Sequence, residues 1–334
     1  MTSTAIPLAD HALTERLSAR LELVEERLRD AVAHADALAD DASRHLVNAG
    51  GKRLRPLLTL LTAELGDGER REVIDAAVVV ELTHLATLYH DDVMDSAPVR
   101  RGAPAAHEVW GNSVAILTGD LLFARASATV AGLGPEAVRI QAGTFERLCL
   151  GQLHETVGPR DDEDHVEHYL RVLSDKTGSL IATSARLGAM FAGCPSSVVS
   201  LVTEFGEQIG IAFQLADDVL DLTSDGSLSG KTPGTDLREK VPTMPALLLR
   251  QRAASPDATD ADRETLAALD ADLSDDEALA RAVALLRVHP VVEETRALAV
   301  ERARAALAVL DPLPDGAVKE AFVSFADALV DRAS

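Results

Sequence analysis

The sequence is poor in aromatic side chains and in cysteine. Phenylalanine, tryptophan and tyrosine make up 3% of the 334 residues, whereas hydrophobic residues as a whole make up 47%. Sheet sandwiches use many aromatic and β-branched side chains, so a composition dominated by Ala, Leu and Val favours helices. The two cysteines, Cys149 and Cys194, are far apart and lack metal-site spacing. This predicts two free thiols in a reducing cytoplasm.

Positive charge is also scarce. The formal net charge is −22 at pH 7, which argues against nonspecific binding of nucleic acid. A polyanionic substrate would therefore need metal ions and a local cationic patch. Only five lysines stand against 27 arginines. Four of them fall in the motifs discussed below, namely Lys52, Lys176, Lys231 and Lys240.

Signals for export or membrane insertion are missing. The first residues, MTSTAIPLADHALTERL, contain neither a basic region nor an apolar one. No uncharged apolar run approaches the length of a membrane span. We therefore expect a cytoplasmic protein without a transmembrane segment.

Helical periodicity runs through nearly the whole chain. It is interrupted by AGGKRLRP, SAPVRRGAP, TSDGSLSGKTPGT and SPDATDADRE, which are rich in Gly, Pro or small polar residues. Apolar residues at helical spacing predict helices over about 13–47, 69–95, 113–131, 135–155, 166–194 and 196–222. No alternation is strong enough to propose a sheet. The sequence predicts an all-α, single-domain protein, with a flexible tail at 1–12 and the domain at 13–334.

Two apolar helices end in the pattern DDxxD. The two copies are Asp91, Asp92 and Asp95, and Asp217, Asp218 and Asp221. Residues four apart lie on one helix face, so Asp91 and Asp95 can point the same way. Acidic residues at a helix C-terminus oppose the helix dipole and need another reason to be there. One copy could be a solvated helix end, but recurrence favours a metal site.

Carboxylate oxygens suit Mg²⁺, which commonly bridges a few carboxylates to substrate phosphates. A calcium-binding EF-hand loop and the Glu-x-x-His pairs of a di-iron bundle are both missing. Cationic groups flank the two motifs, and each cluster alone could be solvated surface. They are Lys52, Arg53 and Arg55 in GGKRLRP, Arg100 and Arg101 in VRRG, Lys176 in DKTGS, and Lys231 and Lys240 after the second motif. Together they predict a magnesium–diphosphate site.

The motifs GGKRLRP, HDDVMDSAPVRRG, GDLLFARAS, DKTGSL, FQLADDVLD and GKTPGTD occur in one order along the chain. In these residues the sequence resembles the trans-isoprenyl diphosphate synthases, the polyprenyl synthetase family, and particularly its medium- and long-chain bacterial members. The resemblance implies a helical bundle of the isoprenoid synthase type with a deep central cavity, and a homodimer. It also implies head-to-tail condensation of isopentenyl diphosphate with an allylic diphosphate, using about three Mg²⁺ per site. The product would be an all-trans polyprenyl diphosphate, a quinone side-chain precursor, with at most transient membrane contact for its release.

The resemblance assigns roles to individual positions. Asp91, Asp95 and Asp217 are implied as metal ligands, and Asp92, Asp218, Asp221 and Lys176 complete the catalytic set. Positions that match isopentenyl diphosphate binding are Lys52, Arg55, His84 and Arg101. Positions that match allylic diphosphate binding are Arg100, Lys176, Thr177, Gln214 and Lys231. Many members carry a lysine where this chain has Val241, with Lys240 one residue earlier, so it stays open whether Lys240 reaches the site.

Product length is predicted from the residues that precede Asp91. The pocket-facing candidates are Thr87 and Ala86, then Thr83, then Val80 and Val79, and none is aromatic. In short-chain members bulky aromatics here close the pocket, so we expect a medium- to long-chain product, roughly heptaprenyl to nonaprenyl. The alternative is that Ala and Thr only permit close helix packing and another helix supplies the floor.

Other functions are less well supported by the motifs. A shorter-chain farnesyl or geranylgeranyl diphosphate synthase is the main alternative. A class I terpene cyclase normally carries an Asn/Ser/Glu triad in place of the second DDxxD, and a non-catalytic subunit of a two-component synthase would lack both motifs. A purely structural helical scaffold would leave the clustered charges unexplained.

Overall fold

The computed structural model of the chain describes residues 9–223 and 233–330. Within these residues, helices account for nearly all the secondary structure. We number them α1 (His11–Val32), α2 (Ala37–Asn48), α3 (Leu54–Ala63), α4 (Arg71–Met94), α5 (Ala106–Trp110), α6 (Asn112–Ala131), α7 (Pro135–Val157), α8 (His165–Leu173), α9 (Ser179–Phe191), α10 (Ser196–Thr223), α11 (Thr235–Arg238), α12 (Met244–Ala253), α13 (Asp260–Leu269), α14 (Asp276–Arg287), α15 (Pro290–Val309) and α16 (Ala317–Val330). The all-α prediction is confirmed.

The chain divides into two compact units. The first unit comprises Met1–Arg147, Ser179–Gly206 and Val309–Phe325, and the second comprises Leu148–Gly178, Glu207–Ala308 and Ala326–Ser334. The sequence predicted a single domain at 13–334 after a tail at 1–12. Those boundaries and the deep central cavity stay predictions.

Helix α4 lies at the centre of the first unit. It packs against α1, α3, α6 and α9, and its side chains are buried over most of its length. A helix that is apolar on every face must be covered on every face, which explains this position. The helix ends where Asp95 caps it and Ser96 adopts a positive φ of 51°. The first DDxxD motif therefore lies at the end of a helix that tertiary packing holds firmly.

The second unit is held partly by a buried polar cluster around Asp262, the N3 residue of helix α13. Thr259 and Asp262 form a capping box. The same carboxylate also lies 3.1 Å from His289 Nε2 and 3.3 Å from Arg252 Nε. Hydrogen bonds from the Thr259 side chain and backbone hold the pKa of Asp262 at about 2. The cluster joins α12, α13 and the start of α15.

The structure corrects two helix predictions and one loop prediction. The predicted helix over 13–47 is broken between Val32 and Ala37, because Asp36 caps a new helix by accepting a hydrogen bond from Ala39 N. The predicted helix over 166–194 is interrupted by a π-helical turn, Ser174–Gly178. The predicted loop SAPVRRGAP contains a short hairpin, in which β1 (Val99–Arg100) pairs antiparallel with β2 (Ala103–Pro104).

Candidate active site

In the first DDxxD motif, the middle aspartate turns inward. Asp92 is fully buried, and Arg100 Nε donates to its Oδ1 at 2.5 Å. Burial raises the pKa of Asp92, and the charge of Arg100 opposes that shift. Asp91 is half-buried and Asp95 is exposed. Because these two lie one turn apart, they form the accessible carboxylate pair of the motif.

The second motif repeats the arrangement with different partners. Asp218 is 2% exposed, and Tyr169 Oη lies 2.8 and 3.0 Å from its two carboxylate oxygens. The backbone N–H of Met244 donates to Oδ2 at 2.9 Å. Burial raises the pKa of Asp218 well above its usual range, against the effect of these two hydrogen bonds. Asp217 and Asp221 are only half-buried, although Oδ2 of Asp221 is itself shielded from solvent. They are therefore the carboxylates of this motif that a bound metal could reach.

The accessible carboxylates of the two motifs suit a metal ion that is also bound by substrate phosphates. Among the described residues, no group of three or more His, Cys, Asp or Glu side chains is pre-assembled as a metal cage. Mg²⁺ is usually bound by one or two carboxylates together with water and substrate phosphates. The pairs Asp91/Asp95 and Asp217/Asp221 supply that kind of incomplete oxygen set, so they fit the group that the sequence predicted.

A cationic cluster lies in the first unit around Arg55, His84 and Arg101. Arg55 Nε is buried, and the part of the chain that the structure describes gives it no hydrogen-bond partner. Burial lowers the pKa of Arg55 to about 10. Burial, followed by the charges of Arg55 and Arg101, lowers the pKa of His84 well below its usual value, so its imidazole is neutral at pH 7. A buried donor without an acceptor is costly, which makes this cluster a fitting place for an anion.

Arg53 does not join that cluster as a substrate cation, contrary to the sequence interpretation of GGKRLRP. Its side chain is 2% exposed and pairs with Glu25 and, at 2.8 Å, with Glu81. A buried guanidinium with two carboxylate partners has a structural role. Lys52, next to it, is exposed.

In the second unit the structure brings Thr177 and Gln214 together, with Thr177 Oγ1 donating to Gln214 Oε1 at 3.3 Å. Lys176 forms an ion pair with Glu155, a residue that the sequence did not single out. Both predicted residues of DKTGS lie in the π-helical turn, a feature that often marks functional sites.

The structure gives less support to a substrate-binding role for the other two predicted lysines. Lys231 lies outside the described residues. Lys240 is exposed and has a positive φ of 59°. Hydrogen bonds from Ser274, and then the charge of Lys240, lower the pKa of Asp272. The charge of Lys240 is therefore felt by a loop aspartate.

The residues predicted to set product length lie where α4 packs on α6. Ala86 is fully buried and Thr83 is 1% exposed. A Cβ added to Gly119 of α6 would lie 3.0 Å from the carbonyl oxygen of Ala86. The two helices thus approach closely at this level, which favours the packing alternative for Ala86. Thr87 is half-buried, and its Oγ1 donates to His84 O at 2.8 Å.

One further group lies deeper along α4. Val79 packs with Val130 and Ala137, and the partly buried residues Leu133, Met190 and Phe191 pack against them. These side chains from α6, α9 and their neighbours would form a floor about two turns below Thr87. The deep-pocket prediction stays a prediction.

Sequence reasoning missed Glu25, Glu81, Glu155 and Tyr169. None of the four belongs to a motif, and their partners are between 21 and 49 residues away. One signal was available for Tyr169, since the chain has only two tyrosines.

Comparison with known proteins agrees with this geometry. The sequence profile of the family described as Polyprenyl synthetase matches residues 36–286. Nonaprenyl diphosphate synthase from Mycobacterium tuberculosis is 43% identical over 328 residues, which cover 98% of this chain and 96% of that protein.

Solved structures are similar over the same length. Geranylgeranyl pyrophosphate synthase from Corynebacterium glutamicum, complexed with calcium and isoprenyl diphosphate, superposes with a TM-score of 0.86 at 42% identity, covering 98% of this chain and 99% of that one. A decaprenyl diphosphate synthase from Rhodobacter capsulatus gives a TM-score of 0.85 at 31% identity, with 97% and 99% covered. The chain therefore belongs to the polyprenyl synthetase family and is an enzyme of the trans-prenyltransferase type.

Proposed function

We propose that this enzyme condenses isopentenyl diphosphate with an allylic diphosphate, in the presence of Mg²⁺, to give a medium- to long-chain all-trans polyprenyl diphosphate. The observation that carries the proposal is the matching build of the two DDxxD motifs. In each, the middle aspartate is fixed inside the protein by named partners, and the outer two remain accessible. Neither a solvated helix end nor a structural scaffold needs that arrangement.

In this proposal the cationic cluster of the first unit binds isopentenyl diphosphate. Arg55 and Arg101 supply charge, and the neutral imidazole of His84 supplies a hydrogen bond. The unpartnered Arg55 Nε gains an acceptor when a diphosphate arrives. In the second unit, Lys176 and Thr177 would orient the allylic diphosphate.

Asp91, Asp95 and Asp217, with Asp221, would hold the Mg²⁺ ions. Mg²⁺ bound there supplies charge neutralisation for the departing pyrophosphate. The C–O bond of the allylic diphosphate breaks, and its electron pair leaves with pyrophosphate. The double bond of isopentenyl diphosphate forms the new C–C bond, and the proton then lost from it passes to pyrophosphate. Catalysis is thus positioning and electrostatics, without a protein nucleophile.

Two relatives support the choice of a metal-dependent isoprenoid reaction. Because their products differ in length, the comparison does not by itself select the product length of this enzyme. The C. glutamicum structure contains calcium and isoprenyl diphosphate, so divalent metal binding is a property of a close structural neighbour. That protein is a geranylgeranyl pyrophosphate synthase and is 42% identical to this chain. The M. tuberculosis relative is a nonaprenyl diphosphate synthase and is 43% identical to this chain. A geranylgeranyl product is therefore the second candidate, favoured by the close packing of Ala86 against α6.

A second copy of the chain is the proposed partner. Helices α4 and α6 are both long and apolar enough to span a membrane. In α4, 67% of the apolar 18-residue stretch is buried inside the protein, whereas in α6 the buried share is 33%. Helix α6 exposes Leu117 by 64% and Ile116 by 42%. We assign this exposed apolar face to homodimer formation in the cytoplasm. Sedimentation equilibrium tests this, and a monomer at micromolar concentration would contradict it.

One incubation tests the catalytic proposal. Purified protein, labelled isopentenyl diphosphate and farnesyl diphosphate are combined with Mg²⁺ or with EDTA, and the products are sized. We expect Mg²⁺-dependent incorporation into a product longer than geranylgeranyl. A geranylgeranyl product would select the second candidate, and the absence of incorporation would reject both.

A further inference from the structure

Two arginines of the first unit adopt a left-handed backbone conformation that side chains other than glycine rarely take. Arg53 has a φ of 48° and Arg101 has a φ of 54°. Such residues persist only where the surroundings hold them. Arg53 lies within GGKRLRP and Arg101 within VRRG, two motifs that the sequence marks as functional. Their surroundings therefore show what fixes the isopentenyl diphosphate cluster.

The two guanidinium groups meet at the glycine loop. The Nη1 atoms of Arg53 and Arg101 both donate to the carbonyl oxygen of Gly50, the former at 3.2 Å. Arg101 Nη1 also lies 3.3 Å from Leu46 O. A Cβ added to Gly51 would lie 2.8 Å from Arg101 Cζ, so this guanidinium rests directly against the glycine. The two arginines thus shape the backbone that presents Lys52.

Glu81 is the carboxylate that both arginines share. It is 2% exposed, and its Oε1 lies 2.8 Å from Arg53 Nη1 and 3.9 Å from Arg101 Nη2. It stands on α4, one turn before His84, a member of the cluster. Its burial leaves it no direct access to a substrate.

We propose that Glu81 is a positioning residue for isopentenyl diphosphate, acting through Arg101 and the Gly50–Gly51 backbone. The inference rests on the proposed function, because the cluster it orders is the one assigned to that substrate. A rigid, pre-arranged set of donors binds an anion more tightly than a mobile set of equal charge.

The sign of the effect separates positioning from simple electrostatics. Loss of a negative charge near an anion site would by itself favour the anion and lower its KM. Glu81, however, also lies 2.8 Å from Arg53 and 3.9 Å from Arg101, so the same substitution releases two guanidinium groups from the carboxylate that they share. The loss of order should therefore dominate, and the KM for isopentenyl diphosphate should rise.

The test compares Glu81→Gln with Glu25→Gln. Both remove one carboxylate from the buried Arg53, but the ion pairs of Glu25 go to Arg53 and Arg29. Steady-state kinetics are measured for each substrate with the other saturating. In Glu81→Gln we expect the KM for isopentenyl diphosphate to rise roughly tenfold, with the allylic KM changed less than about twofold. Glu25→Gln should raise the former less than about threefold.

A measurement without turnover accompanies the kinetics. The rise in Tm caused by isopentenyl diphosphate alone should shrink in Glu81→Gln and persist in Glu25→Gln. Should Glu81→Gln fold poorly, Glu81→Asp, which keeps the charge but shortens the side chain, should give an intermediate KM.

Three outcomes would overturn the inference: an unchanged or lower KM for isopentenyl diphosphate in Glu81→Gln, equal rises for both substrates, or equal effects of the two Gln variants. Failure of the wild-type enzyme to incorporate isopentenyl diphosphate would instead reject the proposed function.

Discussion

The hydroxyl of Tyr169 offers a measurable test of how the second DDxxD motif is built. Tyr169 and Asp218 are 5% and 2% exposed, so their hydrogen bond is shielded from water. Tyr169→Phe removes one oxygen and keeps the ring, so it leaves no large cavity. Asp218 keeps the hydrogen bond from Met244 N at 2.9 Å. The cost should therefore be that of leaving a buried acceptor without its donor, about 1–3 kcal/mol.

Thermal unfolding followed by circular dichroism is the assay. For a compact unit of roughly 150 residues, a loss of unfolding free energy of that order lowers Tm by roughly 2–12 °C. The control is a double-mutant cycle with Asp218→Asn. If Tyr169 acts through Asp218, its replacement should cost about 1 kcal/mol less in the Asn background than in the parent. Additive effects, or an unchanged Tm for Tyr169→Phe, would refute the assignment of Asp218 as a fixed, structural aspartate.

Three other predictions concern separate parts of the chain. Asp91→Ala and Asp217→Ala should each nearly abolish product formation while Tm stays equal or rises, because each relieves repulsion between like charges; substantial residual activity in a radiochemical assay would contradict the metal assignment. Thr87→Phe, at a half-buried position, should shorten the product to farnesyl or geranylgeranyl size in mass spectra, and an unchanged product distribution would show that this position does not limit growth. Asp262→Asn should lower Tm at pH 7. Because folding depresses the pKa of Asp262 to about 2, the stability that its carboxylate contributes is present above its usual pKa of about 4 and is lost as the pH falls towards 2. The Tm values of the parent and the variant should therefore converge near pH 2, and a constant difference would contradict the assignment.

Much of the fold followed from local pattern. The 3.6-residue periodicity fixed the helices at α6 and α10 within one residue of their observed ends, because a helix buries its apolar face whatever it packs against. The π-helical turn was not predictable in this way. It differs from an α-helix in its backbone hydrogen-bond pattern, which the spacing of apolar side chains does not reveal. At its end the backbone approaches α10 closely, since a Cβ added to Gly178 would lie 3.1 Å from the carbonyl oxygen of Glu207.

The sequence by itself determined that two aspartates four apart share a face, and that cationic motifs accompany them. Only the tertiary structure decided which members of those motifs are buried and which are accessible. Asp92 and Asp218 turn inward because Arg100 and Tyr169 are there to meet them. Arg53 is buried for the same kind of reason, since its two glutamates lie 28 residues before and after it. Side-chain spacing within a helix is a local property, whereas burial and pairing depend on segments that only folding brings together.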